Sequence, residues 1–168
     1  MCQLAAYVGP RPIAPLLLRS LELQEPLYAG HATGLGVIDD GVLRVVKDSG
    51  PVARVKQDTE IGSLKGTAGI AHSRYNSSAR DDPRFNAREM CHPFLNDDET
   101  IALMHNGTIY NYRDHWGRLR EIHPFKSYVE EIDAITDSEI AVHMLSDALA
   151  EGKSMVDAFR EVTPQLTG

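Results

Sequence analysis

The second residue of the chain is a cysteine. The small side chain at this position permits removal of Met1, which would leave a thiol and a free α-amine on one residue. An α-amine has an ordinary pKa near ~7.7–8.0, so it can take the thiol proton at neutral pH, directly or through water. The thiolate is the reactive form, and a nucleophile joined to its own N-terminal base needs no separate histidine. With Met1 attached the Cys2 nitrogen is a peptide nitrogen and supplies no base. The competing reading makes Cys2 a small buried hydrophobe. Three later segments carry further reactive types at the ends of expected elements. Gly69-Ile70-Ala71-His72-Ser73-Arg74-Tyr75 ends an apolar strand in an imidazole, a guanidinium and a phenol, Met104-His105-Asn106-Gly107 ends a second strand, and Thr136-Asp137-Ser138-Glu139 opens a helix. Each has an ordinary reading when taken alone. Asn-Gly is a common turn, Arg74 can be a surface arginine, and Asp137 is a negative charge favoured in a first helical turn.

Taken together and in this order, the four segments resemble the glutaminase domain of the class II glutamine amidotransferases, which are N-terminal-nucleophile (Ntn) hydrolases. The anchors span Met1 to Glu139. The resemblance implies that Cys2 attacks the side-chain amide of L-glutamine to give a γ-glutamyl thioester, while its α-amine acts as base and then protonates the departing ammonia. It implies that the Asn106 amide and the Gly107 N–H face the oxyanion, donors of a kind worth roughly 2.7–4 kcal/mol each. Gly107 would take an unusual backbone angle and allow close approach there. Arg74 would grip the glutamine α-carboxylate through its planar guanidinium, with Tyr75 and Ser77 beside it. Asp137 would pair with the α-ammonium, and His72 and Tyr75 would pack against Arg74 or orient it. The implied fold is α+β, a four-layer αββα Ntn sandwich, C-terminally incomplete. A synthase domain or subunit would accept the ammonia, and no cofactor or metal is expected.

The sequence departs from the family pattern at two places. Gln3 follows the cysteine where the family usually has Gly, and Ser78 stands where sugar-phosphate synthases have a second histidine. The run His72-Ser73-Arg74-Tyr75 looks closer to the glutamate-synthase or phosphoribosyl type, and the acceptor is left open. Two other readings stay open. One is an Ntn cysteine hydrolase of another amide, keeping Cys2 and Asn106 without the Arg74–Asp137 clamp. The other is a catalytically degenerate regulatory or scaffold domain.

The elements that would position these residues are legible in outline. Met1–Val8 reads as a strand and Ile13–Leu23 as a short helix with Pro15 in its first turn. Ala32–Ile38 and Val42–Val46 flank Asp39-Asp40-Gly41, a hairpin signal, and Asp48–Pro51 is a turn. Val52–Leu64 reads as a short helix and turn, Thr67–His72 as a buried strand, Asn76–Asn96 as a long loop, and Thr100–Met104 as another strand. Tyr110–Glu121 and Asp137–Ala150 are predicted helices. The second starts at a Thr136/Glu139 capping box and carries an apolar stripe of Ile140, Met144, Leu145 and Ala148. A last helix runs from Ser154 to Pro164 with Met155, Ala158, Phe159 and Val162 on one face. Strands followed by helices suggest a mostly antiparallel sheet, and further strands are expected beyond Gly168. Gly34-Leu35-Gly36 lies inside a strand without a following helix, so it reads as tight packing and not as a phosphate loop. His92-Pro93-Phe94 is expected at the pocket mouth and Asp97–Glu99 in a solvated turn. Cys91-His92 lacks the spacing of a metal site.

Composition sets the outer limits. The 168 residues are 42% apolar and 24% charged, with 17 basic and 24 acidic side chains and a net charge of −7. Such a chain can bury a core without staples and reads as one glutaminase domain, residues 1–168, of a longer chain or complex, with oligomerisation open. The acidic balance argues against nucleic acid as a partner, and no apolar run approaches a membrane span. Two cysteines make no disulfide framework, so a cytoplasmic location is expected.

Overall fold

A computed structural model describes residues 1–76 and 82–168. Strand β1 (Gln3–Val8) leads through a proline-rich bend into helix α1 (Ile13–Gln24), and a hairpin follows, β2 (Ala32–Asp39) and β3 (Val42–Ser49). Its turn uses Asp40 and Gly41, both at positive φ, as a two-residue hairpin loop requires. Helix α2 (Val52–Asp58) and a 3-10 turn lead to β4 (Ala68–Arg74). These strands form one antiparallel sheet in the order β1-β4-β2-β3. Gln3 pairs with Ser73 and Ala32 with Arg74, so the start of β1, the end of β4 and the start of β2 meet at one edge of the sheet. Gln3 is ordinary extended backbone, which tolerates a side chain where the family usually has Gly.

The two faces of this sheet differ by the strand alternation. Leu35, Val37, Val46 and Ala71 point to α1 and α2, where Ile13, Leu17, Leu18, Leu21, Val52 and Val55 complete a closed apolar core. The opposite face presents Gly34 and Gly36. A Cβ on Gly34 would overlap the His92 carbonyl oxygen, and one on Gly36 would meet Val45, Pro93 and Ala102 at 3.3–3.7 Å. The missing side chains let a second, two-stranded antiparallel sheet, β5 (Phe94–Leu95) with β6 (Ala102–Leu103), close onto the first. Lys47 reaches across to fasten the lead-in, donating to the Cys91 and Pro93 carbonyls at 2.5 and 3.0 Å. Burial pushes this amine down to about 8. On the far side of β5 and β6 lies α4 (Asp137–Ala150), packed with α3 (Tyr112–Leu119) and α5 (Met155–Val162) around Leu119, Ile140, Leu145, Ala158 and Val162. The layers therefore run helix, sheet, sheet, helix, the expected αββα order with a small second sheet.

Several sequence expectations need correction. Among the described residues, the segment 76–96 holds 3-10 turns at Pro83–Asn86 and Arg88–Met90 and strand β5, and is not loop throughout. The strand expected from Thr100 starts only at Ala102, because the Asn96 side chain takes the N–H groups of Thr100 and Ile101 at 2.9 Å each. The capping box does not form. Glu139 instead accepts from the backbone of Lys126 and Ser127 at 2.8 and 2.9 Å, and Ser127 Oγ accepts from Thr136 N. Tyr110–Glu121 shortens to α3, and β3 runs on through Ser49. Met155 and Phe159 are exposed, so only Ala158 and Val162 of their stripe reach the core. Asp97–Glu99 is the exposed turn expected, and two of its side chains also pair with His123 and Lys126.

The glycine contacts give a stability prediction of opposite signs. Gly34→Ala should cost about 1–3 kcal/mol or more, as overpacking against backbone does. Gly117→Ala, inside α3 with nothing within 4 Å of the added methyl, should gain about 0.4–1 kcal/mol. Urea denaturation of the two variants beside the parent protein measures both.

Candidate active site

Cys2 sits just before β1, opposite the end of β4, and is half-buried. Its thiol lies between the backbone groups of Tyr75, donating to the carbonyl at 3.5 Å and accepting from the N–H at 3.4 Å. The Tyr75 ring stacks on His31, and His31 Nδ1 accepts from Asn76 N at 3.0 Å. His31, which the sequence reading did not single out, thereby holds the strand end that cradles the sulfur. Its signal was only a lone histidine before β2.

Asn106 reaches the other side of Cys2. Its Oδ1 accepts from Cys2 N and its Nδ2 donates to the Cys2 carbonyl, each at 3.3 Å. This carboxamide ties the chain after β6 to the start of β1. The adjoining Gly107 is not at positive φ, contrary to the unusual angle expected there. Its need for Gly is steric, since a Cβ would lie 2.6 Å from His105 Nε2.

A cavity of about 310 Å³ opens beside the thiol, lined by Cys2, Arg74, Tyr75, Gly107, Thr136 and Asp137 among others. Arg74 is on the β4 face that looks toward the second sheet. One terminal nitrogen donates to the Met90 carbonyl at 2.6 Å, while its Nε is buried and has no hydrogen-bond partner among the described residues. Asp137 is the first residue of α4. It accepts from Ile109 N at 2.6 Å and from Ser138 Oγ at 3.2 Å, which fixes the carboxylate at the cavity wall. Thr136 Oγ1, freed by the failure of the capping box, is buried without a partner among the described residues. Ser77, expected beside Arg74, and Ser78 lie outside the described residues.

The cavity lining includes His92, whose ring stacks on that of His72 with centroids 4.1 Å apart. His92-Pro93-Phe94 is thus buried beneath the cavity and not at its mouth. Burial, and next the Arg74 charge, push His72 down to about 3, and burial holds His92 well below the ordinary range. Since the His105 carbonyl can only accept, the His72 Nε2 facing it at 3.3 Å carries the proton. Neutral rings here leave Arg74 as the positive charge of the cavity wall, itself lowered by burial.

A thiol held by a backbone amide, a buried guanidinium and a helix-start carboxylate share one cleft. The chain is 35% identical to glutamine–fructose-6-phosphate aminotransferase [isomerizing] of Tropheryma whipplei (strain Twist) over 172 residues, covering 100% of this chain and 26% of that protein. Over its whole length it is similar to the class II glutamine amidotransferases. The protein of the same name from Halobacterium salinarum is 32% identical over 170 residues, covering 100% of this chain and 25% of its own length. The chain thus spans about a quarter of the length of these curated relatives. No family model matches. Among solved structures, glutamine phosphoribosylpyrophosphate amidotransferase from B. subtilis, complexed with ADP and GMP, superposes with a TM-score of 0.75 at 19% identity, covering 100% of this chain and 33% of that one. A structure described as the allosteric regulatory enzyme of purine biosynthesis superposes at 0.60 with 21% identity, covering 83% of this chain and 28% of that one. The fold is that of the Ntn amidotransferase domains. The residues after Arg74 lean away from the sugar-phosphate pattern, yet these sequence relatives carry a sugar-phosphate name.

The neutral imidazoles make stability depend on pH. Below 6.5 the unfolded chain protonates His72 while the folded chain does not until about 3, so protons favour unfolding across that window. Stability should fall by about 1.4 kcal/mol per pH unit for each such histidine. His72→Gln should show a shallower acid slope than the parent in urea titrations at stepped pH.

Proposed function

We propose that this chain hydrolyses L-glutamine to glutamate and ammonia through a thioester on Cys2, with Met1 removed. The reading rests above all on one observation, the shared cavity of Cys2, Arg74 and Asp137 with Asn106 bonded to the Cys2 backbone. In the processed protein the Cys2 nitrogen is an α-amine, and Asn106 Oδ1 holds it beside the sulfur. The thiol proton passes to this amine, and the sulfur attacks the glutamine side-chain carbonyl. Asn106 Nδ2 exchanges its long, exposed bond to the Cys2 carbonyl for the oxyanion, and Gly107 N–H adds a second donor. The tetrahedral adduct collapses, the C–N bond breaks, and the ammonium of Cys2 returns its proton to the leaving ammonia. Water then attacks the thioester, releasing glutamate and restoring the thiol.

Arg74, whose Nε hydrogen has no acceptor among the described residues, takes the α-carboxylate, and Asp137 takes the α-ammonium. Tyr75 supports the thiol through its backbone, and Ser77 is placed beside the carboxylate end by sequence alone. Residues 1–168 act as a glutaminase domain within a larger assembly, whose synthase part accepts the ammonia, as the names of the longer relatives suggest.

Glutamine-dependent ammonia release by the processed protein tests this. Cys2→Ala should abolish it with the fold retained. Asn106→Ala should lower kcat by about 10²–10³, and Arg74→Lys should chiefly raise KM for glutamine. Activity surviving in Cys2→Ala contradicts the mechanism. Hydrolysis of another amide in preference to glutamine would instead identify a different Ntn cysteine hydrolase.

A further inference from the structure

Away from the Cys2 cavity, the β5–β6 turn, the segment after α3 and the buried face of α4 bring three ligand-type side chains together. Asp97, His123 and His143 each offer one ligand atom, all within 4.8 Å of one another, and they are the one such group among the described residues. None of them lines the cavity beside Cys2. From the sequence no metal is expected, and Cys91-His92 lacks the spacing of a metal site. Those two are occupied elsewhere, Cys91 donating to the Ala87 carbonyl and His92 stacking on His72.

The orientation of the two rings is the informative feature. Both turn Nδ1 toward the same carboxylate, His123 at 2.8 Å from Asp97 Oδ2 and His143 at 3.4 Å from Asp97 Oδ1. Each turns Nε2 toward a different carboxylate of α4, His123 at 3.0 Å from Asp147 and His143 at 3.7 Å from Glu139. Metal-binding histidines show this pattern, an outer N–H given to a carboxylate and an inner lone pair left for the ion. His143 is 1% exposed, and among the described residues neither of its ring nitrogens makes a hydrogen bond. A polar ring in that position is costly unless something binds it. The two rings stack at 4.5 Å with planes 20° apart, and carboxylates of Asp97, Glu139 and Asp147 face them.

We propose that Asp97, His123 and His143 form a binding site for a divalent metal ion of the zinc class. Two imidazole nitrogens and one carboxylate oxygen suit Zn²⁺. The Asp97 carboxylate is 35% exposed, which leaves an entry path and room for water as a fourth ligand. The ligands come from three segments, so the ion would staple the β5–β6 turn and the chain after α3 onto α4. That helix carries Asp137 at its start, and the staple would therefore stiffen the wall of the Cys2 cavity from behind.

The test uses metal-free protein carrying Cys2→Ala, so that the thiol cannot compete for the ion. Titration with Co²⁺ should show one equivalent bound with the visible bands of a four- or five-coordinate ion. Zn²⁺ should displace the Co²⁺ and raise Tm. His143→Ala should abolish binding. Because His143 is buried and that variant can fail to fold, Asp97→Asn, which preserves shape at a partly exposed position, repeats the test. Asp147→Asn should weaken affinity by about tenfold or more. Absence of the Co²⁺ spectrum, equal binding by Asp97→Asn, or binding only when Cys2 is intact overturns the proposal.

Discussion

The close approach of two sheets over Gly34 and Gly36 is the constraint from which the rest follows. With no side chains on that face, the His92 carbonyl and the Pro93 ring lie directly on β2. The start of β1 and the end of β4 are then brought level with the end of β6 and the start of α4. The cavity is the gap left where these four ends fail to fill the space. A bulkier β2 would part the layers and carry Asn106 and Asp137 away from Cys2 and Arg74.

Charge in the gap is arranged by burial. The buried Arg74 guanidinium donates to the Met90 carbonyl and feels the charge of Asp137 at the same cavity. Among the described residues its Nε hydrogen has no acceptor, which is costly for a buried group. Across the cavity Asp137 is fixed by the Ile109 N–H and by Ser138, with no basic side chain in an ion pair with it among the described residues. A zwitterion spanning the two would satisfy both at once, which is the physical basis of the proposed amino-acid clamp.

Much of this was readable from residue order. The strand and helix ends carrying Cys2, Arg74, Asn106 and Asp137 fall where the apolar patterns stop, and the Gly-Leu-Gly of β2 announced tight packing. What escaped the sequence were contacts between distant segments. Glu139 looked like the partner of Thr136, but the loop at Lys126–Ser127 outcompeted it. Asn96 trimmed a predicted strand by taking two backbone N–H groups. His31 gained its place only because β2 lies beside β4, and Asp97, His123 and His143 converge from positions 26 and 20 residues apart in the chain. No local pattern encodes pairings of that kind.

The account stands on Cys2 acting with its own amine. The most direct measurement is the rate at which an electrophilic glutamine analogue labels Cys2 at neutral pH, in protein with Met1 removed and in the same chain with Met1 retained. Fast labelling of the processed form, slowed at least tenfold when Met1 remains and accompanied by protection from free glutamine, is the predicted result. Equal rates for the two forms would contradict it, since the amine would then contribute nothing to the reactivity of the thiol.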